Sequence, residues 1–199
     1  IGTWKRLVQC FGEPTLSKFS PERFGKALDS AMNDGARIYS AAYIMPSGGS
    51  KSGFKRKHDM HLHLIARMIK DGLPKLVSQA QSLADVFKLL RAYPTIGDFL
   101  AYQYAIDLNY SRLLAFSEND FVVAGPGAKE GISKCFRDLG GNELDWVINK
   151  VRLVQKEAFE ELGLTFQSLW GRPLHLIDCQ NLFCEVWKAA RVLRPEYNG

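Results

Sequence analysis

Apolar residues recur at helical spacing through almost the whole of this 199-residue chain. The clearest run begins at Asn142, a candidate N-cap with Asp145 three residues on, and ends at Gly163, which is typical of helix ends. Another helix is expected from Ser20 to Gly35, and further helices over 60–70, 82–92, 98–108, 128–139 and 175–193. Only residues 37–45 have the β-branched and aromatic mixture of a strand. The pattern predicts one all-α domain over residues 1–199, with a cleft between two helical lobes.

Composition excludes several classes of protein. With 46% hydrophobic and 24% charged residues, the chain has enough apolar side chains for a compact core and is not a disordered segment. The longest apolar stretch, residues 99–108, is interrupted by Gln103 and Asp107 and is too short to cross a membrane. We expect a cytoplasmic bacterial protein that does not contact membranes. The chain begins at Ile1 rather than Met, so we also expect that its start is trimmed.

The positive charge is concentrated near the N-terminus. Residues 1–75 hold 13 basic and 6 acidic side chains, although the whole chain carries a net charge of only +5. The densest part, within a Gly/Ser-rich segment, contains Lys51, Lys55, Arg56 and Lys57. Such a segment is typical of loops that follow a polyanion backbone, and it is equally typical of a solvated surface loop.

Two segments indicate where chemistry could take place. A helix is expected to end near Ala92, and the turn Tyr93-Pro94-Thr95-Ile96-Gly97 leads directly into the next helix. That turn predicts either an anion site at exposed backbone N–H groups or an ordinary helix connection. Further on, Asp120 precedes the apolar residues 121–124, which predicts a carboxylate at the start of a short buried helix. A plain N-cap has the same pattern.

In this order, the two segments resemble the helix-hairpin-helix DNA glycosylase superfamily, with the hairpin region at about 82–108. Asp120 occupies the place of that superfamily's essential Asp, although the longer spacing from Gly97 leaves Asp107 open. Residues 39–45, 116–128 and 178–185 more closely resemble the alpha-glutamyl/putrescinyl thymine pyrophosphorylase family, a branch associated with hypermodified phage bases. One subgroup of that family excises alpha-glucosylated hydroxymethylcytosine from phage DNA.

The resemblance implies a DNA glycosylase of anti-phage defence that extrudes and excises a modified pyrimidine, namely a glucosylated hydroxymethylpyrimidine, and leaves an abasic site. Asp120 would be the catalytic carboxylate. Phe99 stands near the place of the lysine that strand-cutting members use, so the enzyme would be monofunctional. The implied substrate-binding residues are Asn119, Gln180, Asn181, Tyr39, Tyr43 and Asp178. The implied DNA-backbone contacts are Thr95, Ile96, Gly97, Lys51, Lys55, Arg56 and Lys57.

The expected partner is double-stranded DNA with modified bases, bound by a monomer. No cofactor is expected except a monovalent cation at the hairpin. His58, His61 and His63 lie within six residues of one another, but two of them diverge on a helix, so we expect no metal site. Two other functions stay open. One is a transferase that replaces pyrophosphate on an activated hydroxymethylpyrimidine with an amine or amino acid, and the other is a non-catalytic DNA-binding module.

Overall fold

The computed structural model describes residues 2–13, 15–39, 45–46 and 53–197, without the side chains of residues 2–4 and 197. These residues form nine α-helices and a short 3-10 turn at Pro195–Tyr197. The helices are α1 Gly2–Phe11, α2 Pro21–Asn33, α3 Lys57–Lys70, α4 Leu73–Ser78, α5 Leu83–Arg91, α6 Asp98–Asn109, α7 Pro126–Cys135, α8 Leu144–Glu161 and α9 Leu176–Leu193. The described part of the chain contains no strand, which confirms the all-α prediction. None of its helices is long and apolar enough to cross a bilayer.

Residues 37–39 have no regular secondary structure, so the described end of the expected strand over 37–45 does not form one. Residues 40–44 of that segment lie outside the described residues. The mixture of aromatic and β-branched side chains there had no partner strand to pair with among the described residues. A strand needs such a partner to satisfy its backbone.

Several helix boundaries follow from short polar side chains, as expected. The Ser20 hydroxyl accepts a hydrogen bond from the backbone N–H of Arg23, at 3.3 Å. The Ser82 hydroxyl accepts one from the N–H of Asp85, at 3.1 Å. Gly163 follows α8 with φ of +64°, a conformation that costs glycine little. These ends are encoded locally, because each depends on residues three or fewer positions away.

The predicted N-cap at Asn142 is wrong. Helix α8 is preceded by Glu143, and the Asn142 side chain donates to the carbonyl of Leu139 at 2.7 Å. Asp145, expected to support the cap, instead accepts a hydrogen bond from the N–H of Ala124 at 2.9 Å. A tertiary contact has therefore replaced the local one.

The chain divides into two compact units, each described here by itself. The first comprises Ile1–Ala80 and Ala92–Ile96, and the second comprises Gln81–Arg91 and Gly97–Gly199. In the first unit α2 packs against α1 and α3. The buried Phe24 ring lies 5.1 Å from that of Phe11 and 5.3 Å from that of Phe19, between ring centroids. These aromatic contacts extend a core that is otherwise formed by buried aliphatic side chains such as Leu62, Leu64 and Val77.

The second unit is built around α7 and α9, whose backbones touch. A Cβ atom on Gly131 of α7 would lie 1.9 Å from the carbonyl oxygen of Phe183 on α9, so only glycine fits there. The core around this contact is apolar, and its fully or nearly fully buried side chains include Leu83, Tyr102, Ile106, Ile132, Ile148, Ile177 and Cys179. This close packing fixes the N-terminal end of α9, where the candidate site lies.

Candidate functional site

The segment that carries Asp120 is a loop and not the start of a helix. Residues 121–125 are not helical, and α7 begins only at Pro126. The short buried helix expected after Asp120 is therefore wrong. Proline disfavours the helical conformation in the residue before it, and Gly125 accordingly has the extended values φ −68° and ψ 168°.

This loop is fixed at both ends. The Asn109 side chain donates to the carbonyl of Phe116 and accepts from its N–H, each at 2.9 Å. At the other end, Asp145 accepts from the N–H of Ala124. Burial raises the pKa of Asp145, partly offset by this hydrogen bond. A loop held in this way presents its middle residues in one geometry.

The middle of the loop contacts the N-terminus of α9. Glu118 pairs with His175, with 3.0 Å between Oε2 and Nδ1, and the side-chain Oδ1 of Asn119 accepts a hydrogen bond from the N–H of Leu176 at 3.3 Å. Asn119, an expected substrate contact, thus uses its oxygen to cap a helix. Asp120 is exposed, and its carboxylate makes no hydrogen bond or ion pair with the described residues. The loop therefore presents one free carboxylate on a fixed support.

Asp178 lies at the same place but is fully engaged. Its Oδ2 accepts from the N–H of His175 at 2.8 Å and from Arg172 at 2.5 Å, in a capping box at the start of α9. The carboxylate, an expected substrate contact, therefore positions Arg172 and the helix end. Asn119 and Asp178 thus both make hydrogen bonds at the start of α9, and Asp120 directly follows Asn119 in the loop, so their expected roles at a substrate stay predictions.

Sequence reasoning missed Glu118, His175 and Arg172. His175 and Glu118 are 57 positions apart, and no local spacing links them. A signal was present, because Glu118 directly precedes Asn119 and Asp120, and Arg172 and His175 flank the start of α9 within six residues of Asp178. Charged side chains beside a helix start interact with the helix end and with one another, so their proximity in the sequence to Asp178 and to Asn119 was the available signal.

A buried tyrosine lies near this cluster. Tyr102 is fully buried, and its hydroxyl has no hydrogen-bond partner among the described residues. Burial, with the nearby charge of Glu118, raises the pKa of Tyr102 far above its usual range. Burial and Glu118 also raise the pKa of Tyr110. Both phenols therefore stay neutral at physiological pH and can act only as neutral hydrogen-bonding groups.

Gln180 and Asn181 differ in their surroundings. Gln180 is fully buried, accepts from the Gln103 side chain at 3.2 Å and donates to the sulfur of Cys184 at 3.0 Å. It is thus a core residue in this conformation. Asn181 is exposed on α9. Of these two expected base contacts, only Asn181 is reachable from solvent.

The other expected base contacts belong to the first unit or lie outside the described residues. The Tyr39 hydroxyl bonds His58 Nδ1 at 2.8 Å, and His58 Nε2 bonds Asp29 Oδ1 at 2.9 Å. Arg56 pairs with the same Asp29 oxygen. Tyr39 is therefore held in a polar network with His58, Asp29 and Arg56. Tyr43 lies outside the described residues.

The basic segment is only partly free. Lys55 is exposed, Arg56 is neutralised by its ion pair, and the Lys57 ammonium lies 5.7 Å from the centre of the Tyr39 ring. Lys51 lies outside the described residues.

The neighbouring histidines do not converge. His61 and His63 bond the backbone carbonyls of Pro46 and Asp59, at 3.1 and 2.8 Å. No group of three metal-binding side chains is found among the residues that the structure describes.

The hairpin connects α5 and α6 as the sequence predicted. The N–H of Ile96, an expected phosphate contact, donates to the Tyr93 carbonyl at 3.3 Å, and Gly97 is the exposed N-cap of α6. Thr95 has φ of +68°, and its buried hydroxyl has no partner among the described residues. A buried hydroxyl without a protein partner can bind a cation or a water molecule. The monovalent cation at the hairpin therefore stays a prediction. Phe99, in the second unit, packs against Gly125.

The chain is similar to a 5-hmdU DNA kinase of Bacillus phage SP10. The two are 27% identical over 183 residues, which cover 84% of this chain and 28% of the phage enzyme. The chain thus spans well under a third of that relative. No solved structure matches the chain significantly.

This relative corrects the expected reaction. Its name describes a kinase, which transfers a phosphoryl group, whereas a glycosylase hydrolyses the bond between base and sugar. The glycosylase class, with its hydrolase chemistry, is therefore wrong for this chain. The coarser expectation, a family concerned with modified bases in DNA, is confirmed. A hairpin and an acidic residue are local features that helical proteins of different activity share, so they do not determine the reaction.

The match to a family is broader than the match to this one relative. A family model described as "5-hmdU DNA kinase, helical domain" matches residues 1–199, the full length of the sequence. The fold agrees with that description, since the described residues are helical. The chain therefore belongs to the family of 5-hmdU DNA kinase helical domains.

Proposed function

We propose that this chain is the DNA-recognition domain of an enzyme that phosphorylates a hydroxymethylated pyrimidine in DNA. The observation that carries the proposal is the family match over residues 1–199. The named activity of the phage relative, on 5-hmdU in DNA, supplies the substrate class. The proposed task of the helical domain is to hold the DNA and present the hydroxymethyl group for phosphoryl transfer.

Asp120 is the proposed contact to that hydroxymethyl group. A phosphoryl acceptor hydroxyl needs a neighbouring carboxylate that accepts its hydrogen bond and then its proton. In the proposed step the hydroxyl oxygen attacks the γ-phosphorus of a nucleoside triphosphate, and its proton passes to Asp120. The new O–P bond forms as the bond from the γ-phosphorus to the bridging oxygen breaks, and the nucleoside diphosphate leaves. Two features support this role, namely the exposed, unpaired carboxylate of Asp120 and the contacts of Glu118 and Asn119 that fix the loop.

The proposed DNA-backbone contacts include Lys55, Lys57 and the exposed Gly97. Arg56 contributes less in this proposal, because Asp29 already neutralises it. Each lysine that neutralises a phosphate should contribute about one unit to the dependence of log affinity on log salt. Lys55→Gln should therefore reduce that slope by about 1. An unchanged slope would remove Lys55 from the interface.

The experiment compares two DNA duplexes that differ at one position, thymine against 5-hydroxymethyluracil, by competition in fluorescence anisotropy. A hydrogen bond to a charged group contributes about 1.5–3 kcal/mol, so the hydroxymethyl duplex should bind roughly 10- to 100-fold more tightly. Asp120→Asn should remove most of this preference and leave the affinity for the thymine duplex unchanged.

Asp107→Asn is the matched control. Asp107 is an exposed carboxylate in the last turn of α6 whose pKa is raised by desolvation, and the sequence left it open as the functional acid. If Asp107→Asn removes the preference and Asp120→Asn does not, the assignment moves to Asp107. Equal binding of the two duplexes by the unaltered chain would contradict the proposal.

The transferase that replaces pyrophosphate is the second candidate function. The family match favours it over hydrolysis, because a kinase is also a group-transfer enzyme and not a hydrolase. It predicts that DNA carrying a pyrophosphorylated hydroxymethyluracil loses pyrophosphate only when an amine or amino acid is added. Release of pyrophosphate under those conditions, measured by mass spectrometry of the nucleosides, would support this candidate instead.

A further inference from the structure

A tight turn after α8 presents a single aromatic ring to solvent. Leu169 and Arg172 exchange two backbone hydrogen bonds, of 3.0 and 3.1 Å, across the residues Trp170 and Gly171. Both central residues have positive φ, +50° and +87°, as in a type I′ turn. Asn, Asp and Gly are the residues that adopt this conformation readily, and a tryptophan at the first central position is unfavourable.

The side chain of Trp170 buries almost no apolar surface in the folded chain. It is 95% exposed, the highest value among the large hydrophobic side chains that the structure describes. An indole normally stabilises a fold by burying its large apolar surface. A strained backbone that supports an unburied ring indicates a role outside folding.

The turn is rigidly attached to the candidate site. Gly171 donates its N–H to the Ser168 hydroxyl at 3.0 Å, and Arg172 donates to the carbonyl of Pro173 at 2.9 Å. Arg172 also binds Asp178, the residue that caps α9. The loop with Asp120 is attached to the same helix end through Asn119. Trp170 and the proposed base-recognition loop are therefore held by one support.

We propose that Trp170 inserts into the DNA base stack beside the modified pyrimidine. This inference rests on the proposed function, because it takes DNA as the partner and the modified base as the neighbour. A base that must reach a protein group leaves the stack, and proteins that extrude or unstack bases commonly insert an apolar side chain into the gap. A flat ring at the tip of this turn suits that task, and Arg172 connects the turn to the same end of α9 that binds the loop with Asp120.

The test uses a duplex in which 2-aminopurine, a base that fluoresces when unstacked, pairs with 5-hydroxymethyluracil. Binding of the unaltered chain should raise the fluorescence. Trp170→Ala should abolish the rise and weaken binding about 10-fold, since stacking on an aromatic side chain commonly contributes that much per base. Trp170→Phe, which keeps a ring, should retain most of both effects.

Trp146→Ala is the control, because Trp146 is also substantially exposed in the second unit, at 49%, but lies in the first turn of α8 and not in the Leu169–Arg172 turn. It should leave the fluorescence rise intact. Circular dichroism of each variant shows whether it is folded, and only folded variants are compared.

Failure of the insertion and failure of the proposed function give different results. If the chain prefers the hydroxymethyl duplex and Trp170→Ala changes neither fluorescence nor affinity, the insertion is overturned and base recognition stands. A second result is that the unaltered chain binds the hydroxymethyl and thymine duplexes equally and Trp170→Ala abolishes the fluorescence rise on both. The insertion then stands and base recognition is overturned. A chain that binds neither duplex overturns both. If Trp170→Ala leaves DNA binding unchanged and only alters the oligomeric state, the ring contacts protein and the proposal is wrong.

Discussion

Replacement of Gly131 by alanine tests whether the backbones of α7 and α9 touch. The new Cβ would lie 1.9 Å from the carbonyl oxygen of Phe183 and 2.6 Å from its carbonyl carbon. Because both atoms belong to the backbone, no side-chain rotation relieves the overlap. The separation must grow by about 1.5 Å to reach the 3.4 Å of ordinary contact.

The magnitude follows from two opposing effects. Overpacking of a core commonly costs about 1–3 kcal/mol, and more where backbone must move. Alanine is a better helix former than glycine by about 1 kcal/mol, which offsets part of the cost. We therefore expect Gly131→Ala to lower the free energy of unfolding by about 2 kcal/mol.

The assay is urea unfolding followed by circular dichroism. The control is Glu130→Ala, an exposed position in the same helix, which should change the free energy of unfolding by no more than about 0.5 kcal/mol. If Gly131→Ala is as stable as the unaltered chain or more stable, the close approach of α7 and α9 is refuted. Since α9 carries the candidate site at its start, that result would also remove the support from the site geometry.

Three further changes test polar groups of the second unit. Tyr102→Phe removes a hydroxyl without a partner and should leave stability unchanged or raise it by up to about 1 kcal/mol, and a loss in urea unfolding would reveal an unseen partner. Gln180→Leu should cost about 1–3 kcal/mol because the amide of Gln103 is left unpaired, and replacing both glutamines by leucine should cost less than the single change. Burial raises the pKa of Asp145 above 3.8, so its folded form holds the proton more tightly and stability falls as pH rises through the raised value. Asp145→Asn should therefore stabilise the chain more at neutral pH than below pH 3.8, while its oxygen still accepts from Ala124, and an equal effect at both pH values would contradict this.

Much of the fold could be predicted because helix signals are local. Ser20 and Ser82 bind N–H groups three residues away, so the sequence around each is sufficient. The turn at Tyr93 to Gly97 was predictable for the same reason, since proline and glycine punctuate the chain there. The α6 and α7 boundaries at Asp98 and Pro126 are likewise close to the expected positions.

The predictions from sequence were wrong where contacts between residues far apart in the chain determine the local structure. The local sequence allowed Asn142 to cap α8 with support from Asp145. The Asp145 carboxylate instead accepts a hydrogen bond from the N–H of Ala124, 21 positions away. Asp120 was expected at a helix start, yet the extended Gly125 before Pro126 keeps the segment irregular. The sequence alone cannot reveal which of two available partners a polar side chain takes, because that depends on the tertiary packing.

In the candidate site, too, some expectations from sequence agree with the structure and others do not. Asn119 and Asp178 were both expected at a substrate, and both make hydrogen bonds at the start of α9, while Asp120 follows Asn119 in the loop. Gln180 was expected at a base but lies in the core, because its position on α9 faces α6 and Gln103. The reaction itself was misjudged, since a similar hairpin and carboxylate serve families with different chemistry.

The most direct test of the central claim is the affinity of the unaltered chain for two duplexes that differ by one hydroxymethyl group. Titration calorimetry at fixed salt gives both dissociation constants under the same conditions. The account predicts that the duplex with 5-hydroxymethyluracil binds roughly 10- to 100-fold more tightly than the duplex with thymine. Equal dissociation constants would contradict the claim that this helical domain recognises the modified base.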